Sequence, residues 1–308
     1  MDTILVRFLV ASNSTSFYMD QLSTIILAAS LFIIMLGMGL SLVTDDFKRV
    51  LVYPKAVIVG LVSQLVLLPL IGFGIASIFD LRPEIAVGIM ILAACPGGPT
   101  SNLIAHMAKA NTALSVTLTA FSSFITILTI PFIVNIALEQ FMDQSEVIKL
   151  DVVQTILQVM VIIIIPIIIG MMIRKYKKDF AMKMEKPVRI ASGVVIMLVI
   201  VGLCIKEKDN MIPYLQEAGL VSLVLNVVTM FVGYRVAKLF SLNDKAAVSI
   251  SIESGIQNGT LAISIAIVLL NNSEFAIAPA VYGLLMFLTG GVVVYWSNQR
   301  FKAFKDKA

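Results

Sequence analysis

The chain has 308 residues, 59% hydrophobic and 14% charged, with a net charge of +4, and its mean hydropathy is +0.98. A soluble domain carries about 25% charged residues, so this composition excludes a soluble globular domain, a disordered chain and a disulfide scaffold. In lipid every backbone N–H and C=O must pair internally, which leaves helices or closed barrels. The apolar runs here are about 20 residues long and do not alternate, so they predict helices.

Residues 1–20 hold one short apolar stretch, Ile4 to Ala11, interrupted by Arg7. It is too short to span and no basic segment precedes it, so a retained external tail is expected. Nine spans follow, at roughly 22–43, 54–77, 84–107, 112–138, 152–173, 190–206, 218–240, 246–270 and 275–297. Of the 23 Lys and Arg residues, 18 fall in one set of loops, seven of them in the stretch 174–189 alone. The positive-inside rule makes that face cytoplasmic. It places the tail 298–308 inside and, with an odd number of spans, the N-terminus outside. The expected location is the plasma membrane, as a bacterial inner-membrane protein. The basic charge therefore belongs to the membrane topology, and no nucleic-acid partner is expected. Tyr295 and Trp296 predict interface anchors at the inner end of the last span. Cys95 and Cys204 sit in apolar segments as buried thiols. His106, the only histidine, cannot build a metal cluster alone.

Polar groups within the spans point to function. The third span is interrupted by Cys95-Pro96-Gly97-Gly98-Pro99-Thr100-Ser101-Asn102. Two prolines around two glycines cannot continue a helix. Helix resumes at Pro99 or Thr100, where a proline is tolerated in the first turn. Its free N–H groups make an end that favours anions.

The eighth span carries Glu253, the one charge placed deep in the membrane, about 12 Å along the helix from Lys245. An intramembrane carboxylate costs several kcal/mol unless it faces a partner, water or an ion. It either binds something or locks two helices together. The stretch Ser251-Ile252-Glu253-Ser254-Gly255-Ile256-Gln257-Asn258-Gly259-Thr260 predicts a second break, with carbonyls free for a cation and a half-helix start facing an anion. The two breaks lie half a chain apart. Paired interrupted helices in two halves are a pointer to a secondary transporter's binding site.

Oxygen donors gather nearby. Ser115 and Thr119 share one helix face and either reach the site or bond their own backbone. Gln64 lies mid-span in an apolar run. Asn226 does too, and a helix–helix bond is expected for it. Glu253 with Ser101, Asn102, Ser115, Thr119, Gln64 and Gln257 is an all-oxygen donor set. One carboxylate among neutral oxygens suits a monovalent hard cation such as Na⁺.

The run Cys95–Asn102, followed by Asn111-Thr-Ala-Leu-Ser115-Val-Thr-Leu-Thr119, resembles the bile acid:sodium symporter family, as does Ile252-Glu253-Ser254-Gly255-Ile256-Gln257-Asn258. The likeness extends over roughly residues 22–297. It implies an all-α polytopic inverted-repeat transporter in which the two broken helices cross. By that resemblance two Na⁺ ions bind at the crossing. One set is Ser101, Asn102, Ser115, Thr119 and Glu253. The other is Gln64, Glu253, Gln257 and the carbonyls of Ser254 and Ile256. The resemblance also implies a core domain, 54–138 with 218–297, moving against a panel domain, 22–43 with 152–206. Ten-helix members exist; this chain matches a nine-helix kind with one panel helix missing. Pro99 stands where relatives often have a small residue, so a hydroxyl contact there is lost and Thr100 is its replacement.

The first expectation is Na⁺-coupled symport of an organic anion, bile acid-like or a small carboxylate such as pantoate. The anion would meet Pro99, Thr100, Ser101, Asn258, Gly259 and Thr260 at the half-helix starts. H⁺ coupling through Glu253 is the alternative. An intramembrane enzyme lacks its motifs: there is no HExxH, no pair of deep aspartates and no deep His beside a Ser. A channel is a remote alternative. The sequence does not speak to oligomeric state.

Overall fold

The computed structural model describes residues 29, 31–142, 151–206 and 211–305. The tail 1–20 with Arg7, the loop residues 143–150 with Lys149, Lys208, the Cys204 side chain and residues 306–308 lie outside the described residues. The described chain is built of helices in this order: α1 Leu31–Ser41, α2 Thr44–Lys48, α3 Pro54–Ile78, α4 Pro83–Ala94, α5 Pro99–Met107, α6 Thr112–Phe141, α7 Val152–Tyr176, α8 Lys178–Lys206, α9 Met211–Leu239, α10 Asp244–Gly255, α11 Gly259–Leu269 and α12 Ile277–Lys305.

Among the described residues, α3, α6, α7, α9 and α12 are each long and apolar enough to cross a membrane unaided. The third and eighth expected spans are instead pairs of half-helices, α4 with α5 and α10 with α11. Two boundaries move. Only Lys177 separates α7 from α8, so the basic stretch 174–189 is helical rather than a loop, with Asp179 in the first turn of α8. The final helix runs on to Lys305, past the expected end of its span.

The starts and stops follow from residue chemistry. Pro54, Pro83 and Pro99 open α3, α4 and α5, where a missing N–H is harmless. Asn111, Asn243 and Asn258 cap α6, α10 and α11 by accepting from Leu114 N (3.1 Å), Ala246 N (2.9 Å) and Leu261 N (3.1 Å). Both α3 and α7 widen into a π-helical turn, at Ser63–Leu67 and Met160–Ile164. Each turn lies just ahead of a proline, Pro69 or Pro166, whose ring and missing N–H disturb the α ladder behind it. Gln64 sits on the first of these turns.

The turns reveal the internal repeat. Among the described residues, four non-glycine residues have positive φ: Asp80, Lys109, Ser241 and Asn271. Asp80 joins α3 to α4, and Ser241 joins α9 to α10. Lys109 joins α5 to α6, and Asn271 follows α11. Each broken helix is therefore entered and left through one left-handed residue, at matching positions in the two halves.

Lipid tails offer no hydrophobic drive between helices, so close packing by small residues matters. α1 crosses α7 where Gly39 meets Gly170; a Cβ at either would strike the other helix's backbone. Gly37 meets Val188 of α8. Then α2 turns back onto α6, with Phe47 placed 5.6 Å from both Phe121 and Phe124. Asp46 is buried there, a second buried carboxylate beside Glu253, but in a connection rather than a span. It pairs with Arg49 and accepts from Val43 N at 2.8 Å, while its carbonyl accepts from Thr117 Oγ1 at 3.0 Å.

Polar groups mark the two ends. At one end Lys109, Lys245 and Lys302 line an open cleft of about 1200 Å³. Asp244 accepts there from Lys238 (3.0 Å) and Arg300 (3.3 Å), and Trp296 lies edge-on to Tyr234 with Arg300 over its ring. At the other end Arg82 stacks on Tyr214 and its N–H donates to Glu217 at 2.6 Å. Between the ends, large apolar side chains such as Leu70, Phe132, Leu157, Phe231, Leu288 and Val292 are exposed. A soluble monomer does not present such a belt.

Candidate functional site

The residues Cys95–Gly98 and Ile256–Asn258 pass each other antiparallel. Gly97 lies opposite Gln257, and Asn258 N donates to the Pro96 carbonyl at 3.0 Å. The two unwound segments thus satisfy part of each other's backbone, as buried irregular chain must. The crossing brings α5, α6 and α10 together around Glu253, which is buried.

Three hydroxyls reach that carboxylate. Ser101 donates at 2.6 Å, Thr119 lies 3.0 Å from Oε2, and Ser115 is also bonded to it. The Asn102 Oδ1 is 2.9 Å from Ser115 Oγ and 3.2 Å from Thr119 Oγ1. Ser101 Oγ also faces the Gly98 carbonyl at 2.7 Å, and Thr119 Oγ1 faces that of Ser115 at 3.1 Å. A hydroxyl has one proton to give. Each of these three has two or more acceptors within reach, so acceptor oxygens outnumber donor protons. A bound hard cation relieves that surplus.

Ser101, Asn102, Ser115, Thr119 and Glu253 therefore converge as expected. Thr119 does both things open to it: it reaches Glu253 and bonds its own helix.

Two amides lie close to the same crossing. Gln64 is buried, and neither its Nε2 nor its Oε1 has a partner. A Cβ at Gly97 would collide with the Glu253 carboxylate and lie 3.2 Å from Gln64 Nε2, so both side chains crowd this one glycine. Gln257 donates Nε2 to the carbonyls of Glu253 (2.9 Å) and Ser254 (3.0 Å), while its Oε1 is unpartnered. The Ser254 carbonyl is thus engaged with Gln257, and Ile256 is buried with its N–H on Ile252. An unpartnered Gln64 amide and an unpartnered Gln257 Oε1, both buried beside a carboxylate, are costly unless something fills the space between them.

A cavity of about 220 Å³ opens on the far face of the crossing. Five of the six residues expected from sequence to meet the anion, Pro99, Thr100, Asn258, Gly259 and Thr260, line this cavity. Ser101 does not: it is turned inward to Glu253. The opposite wall comes from Met38 and Ser41 of α1 and Val188 of α8, with Met286 and Phe287 of α12 beside them. The sequence does not single these out: Met38, Val188, Met286 and Phe287 are apolar residues with no local mark of what they face, and Ser41 lies near a span end. Among the described residues, no charged side chain lines the cavity. Asn258 turns its Oδ1 to cap α11, and its Nδ2 is unpartnered.

The remaining polar residues also find places. Asn226 Nδ2 donates to the Gly255 carbonyl at 2.6 Å, the helix–helix bond expected of it. Tyr282 donates to the same carbonyl at 2.7 Å, a contact the sequence did not suggest. His106 is exposed, and Cys95 is a buried thiol.

Two crossing half-helix pairs around a buried oxygen-donor site, inside an apolar-faced helical body, define a secondary transporter. The model of the sodium bile acid symporter family matches residues 28–215. The chain belongs to that family, and it is a sodium-coupled membrane transporter rather than an enzyme. It is 28% identical over 272 residues to a sodium-dependent transporter of Bacillus subtilis, covering 87% of this chain and 81% of that one. It is 26% identical over 305 residues to the human hepatic sodium/bile acid cotransporter, covering 94% and 84%. A chloroplastic protein of Arabidopsis thaliana described as a "probable sodium/metabolite cotransporter" is 27% identical over 278 residues, covering 90% and 68%.

Proposed function

We propose that this chain imports a small organic anion by Na⁺ symport, with two ions bound where the breaks cross. One ion takes Glu253, Ser101, Asn102, Ser115 and Thr119. The other takes Gln64, Glu253, Gln257 and the carbonyls of Ser254 and Ile256. The observation that carries this reading is the surplus of acceptor oxygens over protons around Glu253.

Coupling follows from charge. With the cation absent, the Glu253 carboxylate repels an anion across the crossing. With the cation bound, the carboxylate is neutralised and both breaks are held. The anion then meets the N-terminal ends of α5 and α11, Thr100, Thr260 and the Asn258 amide. Each ligand raises the affinity of the other by the same factor, as linkage requires.

Drug-sized ligands occupy pockets of roughly 300–1,000 Å³. A cavity of about 220 Å³ favours a small carboxylate such as pantoate over a bile acid. Movement of the core, 54–138 with 218–297, against the panel, 22–43 with 152–206, would expose the cavity alternately. The Gly39–Gly170 and Gly37–Val188 contacts support the panel as one body. The lysine-rich end faces the cytoplasm, in a bacterial inner membrane, by the positive-inside rule.

The test is uptake of labelled pantoate and taurocholate into proteoliposomes under an inward Na⁺ gradient. Na⁺-driven pantoate accumulation is expected. Accumulation driven by a pH gradient in Na⁺-free buffer would replace Na⁺ coupling with proton coupling.

A further inference from the structure

Gly255 ends α10, and the break removes the helical partner of its carbonyl: Gly259 N bonds Gln257 instead. A carbonyl freed in this way is an ordinary cation ligand in a broken membrane helix. Here two side chains from two other helices occupy it. Asn226 of α9 donates at 2.6 Å and Tyr282 of α12 at 2.7 Å, both fully buried. A carbonyl oxygen has two lone pairs, and both are taken.

The surrounding contacts serve the same junction. Met230, one turn after Asn226, packs directly on Gly255; a Cβ there would strike its side chain. The Met230 carbonyl accepts from Ser251 at 2.7 Å. Gly255 lies two residues after Glu253 and two before Gln257, between the carboxylate and the amide proposed to hold the second ion.

We infer that Asn226 and Tyr282 are positioning residues for Na⁺: by clamping the Gly255 carbonyl they withhold it from the ion and fix the path of the backbone that presents Glu253 and Gln257. This rests on the proposal that the crossing binds Na⁺. A clamped backbone presents a ligand shell of one size, and a loosened one loses both affinity and selectivity, because the ordering cost then falls on binding.

The test uses purified full-length protein and radiolabelled Na⁺, with Li⁺ as competitor. Tyr282→Phe and Asn226→Leu each remove one donor with little change in size and no added charge. Each is expected to weaken Na⁺ binding about two- to tenfold, the range for one hydrogen bond. Each is also expected to lower the preference for Na⁺ over Li⁺, which a general loss of stability does not alter. If either folded variant keeps the wild-type affinity and Na⁺/Li⁺ preference, the inference is overturned. A fall in melting temperature with an unchanged preference overturns it equally. Wild-type protein that binds no Na⁺ would overturn instead the ion-site reading on which it rests.

Discussion

Ahead of each break, one buried amide projects from the preceding long helix: Gln64 from α3 and Asn226 from α9. After each break, a long helix returns past it: α6 brings Ser115 and Thr119, and α12 brings Tyr282. The repeat positions correspond, but the chemistry diverges. In one half the amide has no partner at all, and the hydroxyls crowd a carboxylate with too few protons. In the other half the amide nitrogen and the phenol both donate to one backbone carbonyl, with only the Asn226 Oδ1 left unpartnered. On the reading proposed above, the first half offers neutral oxygens to the cation, while the second supplies Glu253 and Gln257 and clamps the backbone between them. The inverted repeat thus supplies matching scaffolds whose side chains are satisfied differently.

Removing the carboxylate breaks this comparison most severely. Glu253→Ala is expected to lower Na⁺-driven uptake by at least about 100-fold, because taking one partner from a buried charged set costs roughly 3–5 kcal/mol. Uptake in proteoliposomes at matched expression measures it.

The two glycines of the first break sharpen the contrast at the scale of one methyl group. Gly97→Ala drives a Cβ into the Glu253 carboxylate, whereas at Gly98 the nearest atom, on Asn258, is 3.8 Å away. Overpacking costs about 1–3 kcal/mol, so Gly97→Ala should raise the Na⁺ concentration for half-maximal uptake by about 5- to 150-fold. Gly98→Ala should leave it within about twofold. Equal effects would detach Gly97 from the ion site.

Asn258 separates cavity from cage. Serine caps a helix about as well as asparagine, so Asn258→Ser keeps α11 and removes only the amide. Half-saturation by the anion should rise roughly three- to tenfold, with Na⁺ dependence unchanged. A shift in Na⁺ dependence alone would move Asn258 from the substrate side to the ion side.

The smallest effect lies outside the site. Burial pushes the Asp244 carboxyl up, but Lys238 and Arg300 outweigh it and hold it below its ordinary value. A group lowered on folding stabilises above its unfolded pKa, and that stability is lost as pH falls through the folded one. Asp244→Asn should lower stability near pH 7 by under about 1 kcal/mol, in keeping with a partly exposed pair. The difference should vanish in acid, as thermal unfolding across pH would record.

The legibility of the two breaks differs for the same physical reason. Pro96, Gly97, Gly98 and Pro99 forbid a helix by covalent geometry, so the first break is readable from residues alone. The second contains no proline. Its free carbonyl at Gly255 is taken by Asn226 and Tyr282, contacts made across the fold, while the Gln257 amide bonds locally to Glu253 and Ser254. Glu253, Gln64 and Gln257 stood out because a polar group in an apolar run is costly wherever it points. Tyr282, Met38 and Phe287 are at home in a span, so their roles depend on packing. Asp46 was hidden by lying in a connection, where burial has no sequence signature. The basic stretch 174–189 looked like a loop from its charge, yet charged side chains on the first turns of α8 satisfy the same rule while the backbone stays helical.

Equilibrium binding of radiolabelled Na⁺ to purified wild-type protein and to Glu253→Gln tests the central claim most directly. Glutamine keeps the size of the side chain and removes its charge. Saturable Na⁺ binding to the wild type, lost in the variant, is the predicted result. Binding of equal affinity and amount in both would contradict a cation cage at the crossing.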